Sequence, residues 1–159
     1  MEKIGKYEIV KELAKGATSA VFLANDTFAG RQVAIKLVNS EALRDKQKGR
    51  RYKKLFLTEA SLVGKLSHPH IVAIYDAVAE DQLCYIVMEY VAGGTLEKYC
   101  SVEKLLPIDK VIEIIFKCSK ALAFAHRHGI IHRDIKPANI MFSDGLDIKI
   151  SDFGAALNE

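Results

Sequence analysis

The segment His132-Arg133-Asp134-Ile135-Lys136-Pro137-Ala138-Asn139 sets an Asp, a Lys and an Asn close together, and after a short apolar run Asp152-Phe153-Gly154 adds a second carboxylate. An Asp with a Lys two residues on places a proton acceptor beside a cation, while Asn139 and Asp152 offer oxygen ligands of the kind Mg²⁺ prefers. This set of side chains suits phosphoryl transfer. At about 5% per residue, the fixed letters of H-R-D-x-x-x-x-N plus D-F-G would coincide roughly once in 10⁹ placements.

The elements that must position these residues can be read from the spacing of apolar side chains. Ile108, Val111, Ile112, Ile115, Cys118, Leu122 and Ala125 recur at steps of three and four, with Pro107 before them and Gly129 after. That pattern predicts one helix of about twenty residues that delivers the chain to His132. His126 and His128 fall at its end, where the helix dipole favours a cation, and read as structural. Ile140-Met141-Phe142 and Ile148-Lys149-Ile150 predict a small hairpin around Ser143-Asp144-Gly145 that carries Asp152 into place.

The N-terminal half reads as strands. Tyr7, Ile9 and Leu13 alternate with polar residues, Val21-Phe22-Leu23-Ala24 is a compact apolar run, and Val33-Ala34-Ile35-Lys36-Leu37-Val38 is rich in β-branched residues. A Lys at the end of an inward-facing apolar strand needs a counter-charge or a place at the mouth of a site, which singles out Lys36. Ile71 to Val91 holds two further strands joined at Glu80-Asp81, the second of them, Leu83 to Met88, apolar enough for a central buried position. Gly93-Gly94 breaks that run, and Thr95 to Cys100 predicts a short helix. Between the strand groups, Leu55 to Leu66 has helical apolar spacing that sets Glu59 among apolar neighbours.

Composition bounds the rest. The 159 residues are half apolar, with three prolines and ten glycines, and can bury one core. A net charge of +3 gives no reason to expect nucleic acid, and no apolar run approaches the roughly 18 residues that span a bilayer. Met1-Glu2-Lys3-Ile4 lacks an apolar leader region, so the expectation is cytoplasmic residence. Cys84, Cys100 and Cys118 read as buried thiols of a reducing compartment. Arg44 to Lys54 carries seven bases against one acid, a local +6 that leaves −3 for the other residues. The simpler reading is a solvated loop and first helical turns; the sharper is a docking patch for an acidic partner or an anionic surface. His68-Pro69-His70 has no third ligand nearby in sequence and reads as a loop between helix and strand.

The catalytic segment and the Asp152 turn resemble those of eukaryotic-type protein kinases, and Lys136-Pro137 looks like the serine/threonine branch. The resemblance implies an α+β, two-lobe fold: a five-stranded antiparallel N-lobe sheet with one main helix over residues 1–91, hinge included, then a truncated, mainly helical C-lobe over 92–159. Leu13 to Val21 then corresponds to the glycine-rich loop over the nucleotide phosphates, with only Gly16 kept and Ala14 and Ser19 in the other two glycine places. Taken alone, that stretch reads equally as an ordinary hairpin turn. The family pattern gives Lys36 the α/β-phosphates of ATP and makes Glu59 its ion-pair partner, the alternative for Glu59 being a solvated helix face; Glu41 sits too soon after the strand. Met88 would stand at the back of the adenine pocket, main-chain groups of Glu89 and Val91 would hydrogen-bond the base, and Val21, Ala34 and Met141 would form apolar walls.

The same resemblance implies that Asp134 accepts or orients the proton of the attacking hydroxyl, that Lys136 neutralises charge on the γ-phosphoryl group, and that Asn139 and Asp152 hold Mg²⁺. His132 and Phe153 become packing residues, and Arg133 suggests pairing with a phosphorylated residue downstream. The expected function is a serine/threonine protein kinase acting on protein hydroxyls with Mg·ATP. The chain ends at Glu159, before any A-P-E-like motif, so the resemblance spans about the first three fifths of a kinase domain. That gives the alternative expectation of a truncated kinase that binds nucleotide or a partner without turnover. Small-molecule phosphorylation fits Lys136-Pro137 less well.

Overall fold

The computed structural model describes residues 3–16, 18–39, 46–80, 83–143 and 147–153. They form two compact units, Met1–Gly64 with Ile74–Tyr90 and Lys65–Ala73 with Val91–Glu159. Among the described residues no helix is long and apolar enough to cross a membrane.

The first unit is an antiparallel sheet of six strands in the order β1-β2-β3-β4-β6-β5. These are β1 (Lys3–Ile4), β2 (Tyr7–Lys15), β3 (Ser19–Asp26), β4 (Arg31–Val38), β5 (Ile74–Ala79) and β6 (Cys84–Glu89). The sequence predicts five of them. The sixth, β1, is two residues long, too short to show a period; it exists because Gly5 at φ 55 folds Ile4 back onto Tyr7. A methyl group at Gly5 would run into the Tyr85 hydroxyl.

Alternation along β3, β4 and β6 sends Ala24, Val33, Ile35, Tyr85 and Val87 to one face, where they bury against Ile4 and Tyr7. Tyr7 and Tyr85 meet edge to face at 6.4 Å there. Burial pushes the thiol of Cys84 up to about 11, which keeps it protonated and inert.

The helix of this unit, α1 (Lys46–Val63), begins nine residues before the predicted start at Leu55 and ends before Leu66. Its added turns fall in the Arg44 to Lys54 stretch expected to hold a solvated loop and first helical turns; these basic residues carry no apolar period to mark where loop gives way to helix. Phe56, Ala60 and Val63 form its buried line. The side chain of Glu59 lies outside the described residues, as do residues 40–45 and Gly154.

In the second unit, α2 (Ile108–Arg127) is the predicted twenty-residue helix. Gly129 at φ 75 ends it and returns the Ile130 N–H to the Ala125 carbonyl at 3.0 Å. The covered line, however, is Ile114, Cys118, Ala121 and Ala125. Much of the predicted stripe is uncovered among the described residues: Ile108 is 78% exposed, Ile112 61% and Ile115 59%, with Phe116 beside them. Ile114 and Ala121 adjoin the Cys118–Ala125 edge of that stripe, and so broad an apolar face does not say which of its edges is buried. Cys118 is buried as expected, but Cys100 is exposed, its thiol 3.5 Å from the Leu96 carbonyl at the end of a single 3₁₀ turn, Leu96–Tyr99.

The predicted hairpin forms as β7 (Ile140–Phe142) paired with β8 (Ile148–Ile150). Two outside segments extend it. Ile71 bridges Ile150 in parallel, and His70 and Val72 exchange backbone hydrogen bonds with Ile150 at 2.8 and 2.9 Å. Residues 71–72 therefore belong to this pairing, and the strand predicted from Ile71 starts only at Ile74. On the other side Gly93 N–H and Phe142 N–H bond the Phe142 and Gly94 carbonyls, both at 2.9 Å. A side chain at Gly93 would overlap the Phe142 carbonyl, so that close approach requires glycine. Lys117 of α2 is tied to Asp147 at 2.8 Å, joining helix and hairpin, while His70 Nδ1 sits 3.0 Å from the Ile148 carbonyl. His128 packs on the Phe124 ring at 4.4 Å, the structural use expected of it, and His68, expected in a loop, packs on the same ring at 5.1 Å.

Candidate active site

Past Gly129 the chain enters an irregular loop that is fixed from beneath by one histidine. His132 is 1% exposed; its Nδ1 accepts the Asp134 N–H at 3.2 Å, so the proton sits on Nε2, which donates to the Ser151 carbonyl at 2.8 Å. Its ring packs on Phe153 at 4.6 Å. The expected packing residues do pack, and the histidine also sets the heights of residues 134 and 151 against each other.

Above it, Asp134 is held by two donors. Lys136 Nζ lies 2.9 Å from Oδ2, and Asn139 Nδ2 donates to the same Oδ2 at 3.0 Å and to the Asp134 carbonyl at 2.8 Å. The ammonium of Lys136, hydrogen-bonded to Asp134, holds that carboxylate below its usual range, with Asn139 adding to the effect. Lys136 is raised in turn by Asp134. Both directions describe one ion pair, charged on both sides at neutral pH, and among the described residues no donor reaches Asp134 Oδ1.

Asn139 closes a single 3₁₀ turn, Pro137–Asn139, with its N–H on the Lys136 carbonyl at 2.9 Å. Its own carbonyl accepts from Ser151 N–H at 2.9 Å and from the Ser151 hydroxyl at 3.3 Å. Ser151 thus fastens the 132–139 loop to the end of β8 from both sides, a role the sequence does not announce beyond its place before Asp152. Two non-glycine residues here adopt left-handed backbone, Arg133 at φ 66 and Asp152 at φ 61. Such conformations cost of order 1–3 kcal/mol each and persist where the surroundings enforce them.

The same atoms bear on a metal. With Asn139 only 5% exposed and both its N–H groups turned to Asp134, its Oδ1 is a buried amide oxygen with no hydrogen-bond partner among the described residues. Asp152 carries a carboxylate on the neighbouring strained turn. No trio of His, Cys, Asp or Glu among the described residues could hold a metal ion. The donors present fit Mg²⁺, which keeps waters and takes one or two protein oxygens beside phosphate oxygens. Met141, half-buried in β7, follows Asn139 by two residues, and Val91 is buried near the start of the unit's second segment.

In the first unit, pairing puts the remaining candidates on the sheet face opposite the apolar core. Ala14 faces Val21, Val21 faces Lys36, Lys36 faces Ile86, and Ala34 faces Met88. Because paired residues share a face and residues two apart share it too, Ala14, Val21, Ala34, Lys36 and Met88 line one side. Gly16 and Ser19 close the β2–β3 turn with Gly16 N–H on the Ser19 carbonyl at 2.8 Å. Glu89 pairs with Val33, on the core side.

Comparison with known proteins is consistent with this geometry. The protein kinase domain family matches residues 7–158. The chain is 42% identical over 151 residues to a probable serine/threonine-protein kinase of Clostridium acetobutylicum, and 40% identical over 152 residues to the serine/threonine-protein kinase PrkC of Bacillus subtilis. These alignments cover 95% and 96% of this chain but 22% and 23% of the relatives, so the chain spans about a quarter of their length. The crystal structure of the Mycobacterium tuberculosis PknI kinase domain superposes with a TM-score of 0.78 at 28% identity, covering 96% of this chain and 61% of that one. A family match over nearly every residue, with a shared fold, shows that this chain belongs to the protein kinase family, among relatives named as serine/threonine kinases.

Proposed function

We propose that the chain is the nucleotide-binding and catalytic-loop part of a serine/threonine protein kinase, which transfers the γ-phosphoryl group of Mg·ATP to a protein Ser or Thr hydroxyl. The observation that carries this reading is the Asp134 carboxylate, shared by Lys136 and Asn139 at one oxygen with the other left over. Held ionised, Asp134 accepts the hydrogen bond of an incoming hydroxyl and turns its oxygen toward phosphorus; a positioned base contributes about 10²–10⁴ in rate. Lys136 moves its charge toward the phosphoryl oxygens as that hydrogen bond forms. Asn139 Oδ1 and Asp152 would hold Mg²⁺, which when bound neutralises phosphate charge and aligns the group for in-line transfer.

In the first unit the roles are those of nucleotide binding. Lys36 takes the α/β-phosphates with Glu59 as its counter-charge, Ala14, Gly16 and Ser19 let backbone approach phosphate, Val21, Ala34 and Met88 line the base, and the main chain at Glu89 hydrogen-bonds it; in the second unit the corresponding roles fall to the Met141 side chain and the Val91 main chain. Residues 1–91 serve as N-lobe and hinge and 92–159 as part of the C-lobe. Three free cysteines fit a cytoplasmic setting, and no nucleic-acid partner is invoked.

A second reading is nucleotide binding without turnover; what favours it is the apolar side of α2 that stays exposed among the described residues of the unit carrying Asp134. The two are separated by incubating the protein with γ-labelled ATP and peptides bearing Ser, Thr or Tyr. Label on Ser or Thr that disappears with EDTA supports transfer to protein hydroxyls. Magnesium-dependent ATP binding with no labelled peptide supports the second reading, and absence of ATP binding removes both.

A further inference from the structure

The turn His68-Pro69-His70-Ile71 is closed by both backbone and side chain. Ile71 N–H donates to the His68 carbonyl at 3.2 Å, and His70 N–H donates to Nδ1 of the His68 ring at 3.0 Å. A ring nitrogen that accepts carries no proton, so neutral His68 keeps its proton on Nε2. From this turn the chain grips β8. The His70 carbonyl accepts the Ile150 N–H at 2.8 Å, Val72 N–H donates to the Ile150 carbonyl at 2.9 Å, and His70 Nδ1 donates to the Ile148 carbonyl at 3.0 Å. β8 leads directly into Ser151, whose N–H and hydroxyl hold the Asn139 carbonyl.

A second proton acts differently on the histidines gathered here. His70 and His128 donate through Nδ1, to the Ile148 and Phe124 carbonyls, so protonation falls on Nε2 and leaves those bonds in place. At His70 it also strengthens attraction to Asp147, whose Oδ1 lies 3.6 Å from Nδ1. At His68 the nitrogen that must take the proton is Nδ1, which then turns an N–H toward the N–H of His70 and ends that bond. The surroundings already disfavour the charge. The half-buried ring packs between His70 at 5.6 Å and Phe124 at 5.1 Å, and burial lowers its pKa from 6.5, with His70, then Lys120 and Arg127 of α2 and Lys149 of β8, lowering it further. A histidine depressed in the folded state stabilises the fold above its unfolded pKa and loses that contribution as pH falls below 6.5 toward the folded value. We propose that the His68–His70 turn is an acid-sensitive clasp on β8, shut while His68 is neutral and opened when its ring binds a proton, which loosens the strand that leads to Ser151 and Asp152.

Amide exchange followed by NMR on the chain as it stands tests this, read as protection relative to the intrinsic rate at His70, Val72 and Ile150. Between about pH 7.5 and 5.5 that protection should fall about two- to tenfold, the worth of one part-buried hydrogen bond. In His68→Asn the side-chain oxygen accepts the same N–H two residues on but cannot titrate, so protection should stay level over that range. His132 also accepts a backbone N–H, from Asp134; a change there appears at the Asp134 amide in both proteins and is read separately. Nitrogen shifts of the His68 ring in the parent supply a measurement that needs no variant: Nε2 should carry the proton at neutral pH, and Nδ1 should titrate below 6.5. A proton on Nδ1 at neutral pH, protection at these three amides that does not change with pH, or an equal fall in His68→Asn would each overturn the proposal.

Discussion

Replacing His132 by leucine tests how the catalytic loop is held. The histidine donates to the Ser151 carbonyl at 2.8 Å, accepts the Asp134 N–H at 3.2 Å and packs on Phe153 at 4.6 Å. Leucine keeps most of the apolar burial but orphans both backbone groups. Both are only part-buried, so each loss belongs in the lower half of the usual range, about 1–2 kcal/mol. Losing the ring contact adds up to about 1 kcal/mol, for a total of about 2–5 kcal/mol. For a chain of this length each kcal/mol shifts the melting midpoint by about 2–4 °C, so a fall of roughly 4–20 °C is expected. A thermal melt followed by circular dichroism reads it, and amide exchange at Asp134 should speed up in the variant. Phe153→Leu, which keeps both hydrogen bonds, should lose less than half as much. A His132→Leu midpoint within about 2 °C of the parent, or an Asp134 amide as protected as before, would refute this account of the loop.

Three further outcomes follow from the second unit. Gly93→Ala drives a methyl into the Phe142 carbonyl and should destabilise by about 1–3 kcal/mol in urea unfolding. Ile112→Gln with Ile115→Gln, on the uncovered side of α2, should lower aggregation in light scattering while moving stability by no more than about 0.5 kcal/mol per site. Acid should weaken the Lys110–Glu113–Lys117–Asp147 network. Hydrogen bonds from Lys110 and then Lys117 lower Glu113 from 4.5 to about 2, and a hydrogen bond from Lys117 lowers Asp147. Carboxylates depressed in the folded state stabilise it above their unfolded pKa and lose that contribution as pH falls toward the folded value. Melting temperature should therefore drop between about pH 4.5 and 2, modestly because the groups are exposed, and Lys117→Met should flatten that drop.

The parts of the fold legible in the sequence were those with a strong local signal. Pro107, a step of three and four, and Gly129 bounded α2, and the apolar run Ile140-Met141-Phe142 with the alternating Ile148-Lys149-Ile150 gave the β7–β8 hairpin. What escaped reading has a physical cause in each case. Lys3–Ile4 is too short for alternation, and the first half of α1 has no apolar period to mark its start. Ile71 reads as strand, but pairing with Ile150 is a long-range choice that no local pattern records. For α2, periodicity shows a broad apolar face; which edge of it is covered depends on what packs there, so Ile114 and Ala121 join Cys118 and Ala125 in the buried line while Ile112 and Ile115 stay exposed. In the candidate site, residue types and spacing located Asp134, Lys136 and Asn139 together. The tethering role of Ser151 rests on its main chain and hydroxyl, and most of that chemistry is independent of side-chain identity.

In the proposed function Asp134 receives the substrate hydroxyl while other side chains hold the nucleotide. Single-turnover transfer of the γ-phosphoryl group, measured beside ATP affinity in the parent and in Asp134→Asn, separates these two tasks. The transfer rate should fall by about 10²–10⁴ in the variant with ATP affinity unchanged within a few fold. Transfer at the parental rate in Asp134→Asn would remove Asp134 from that role.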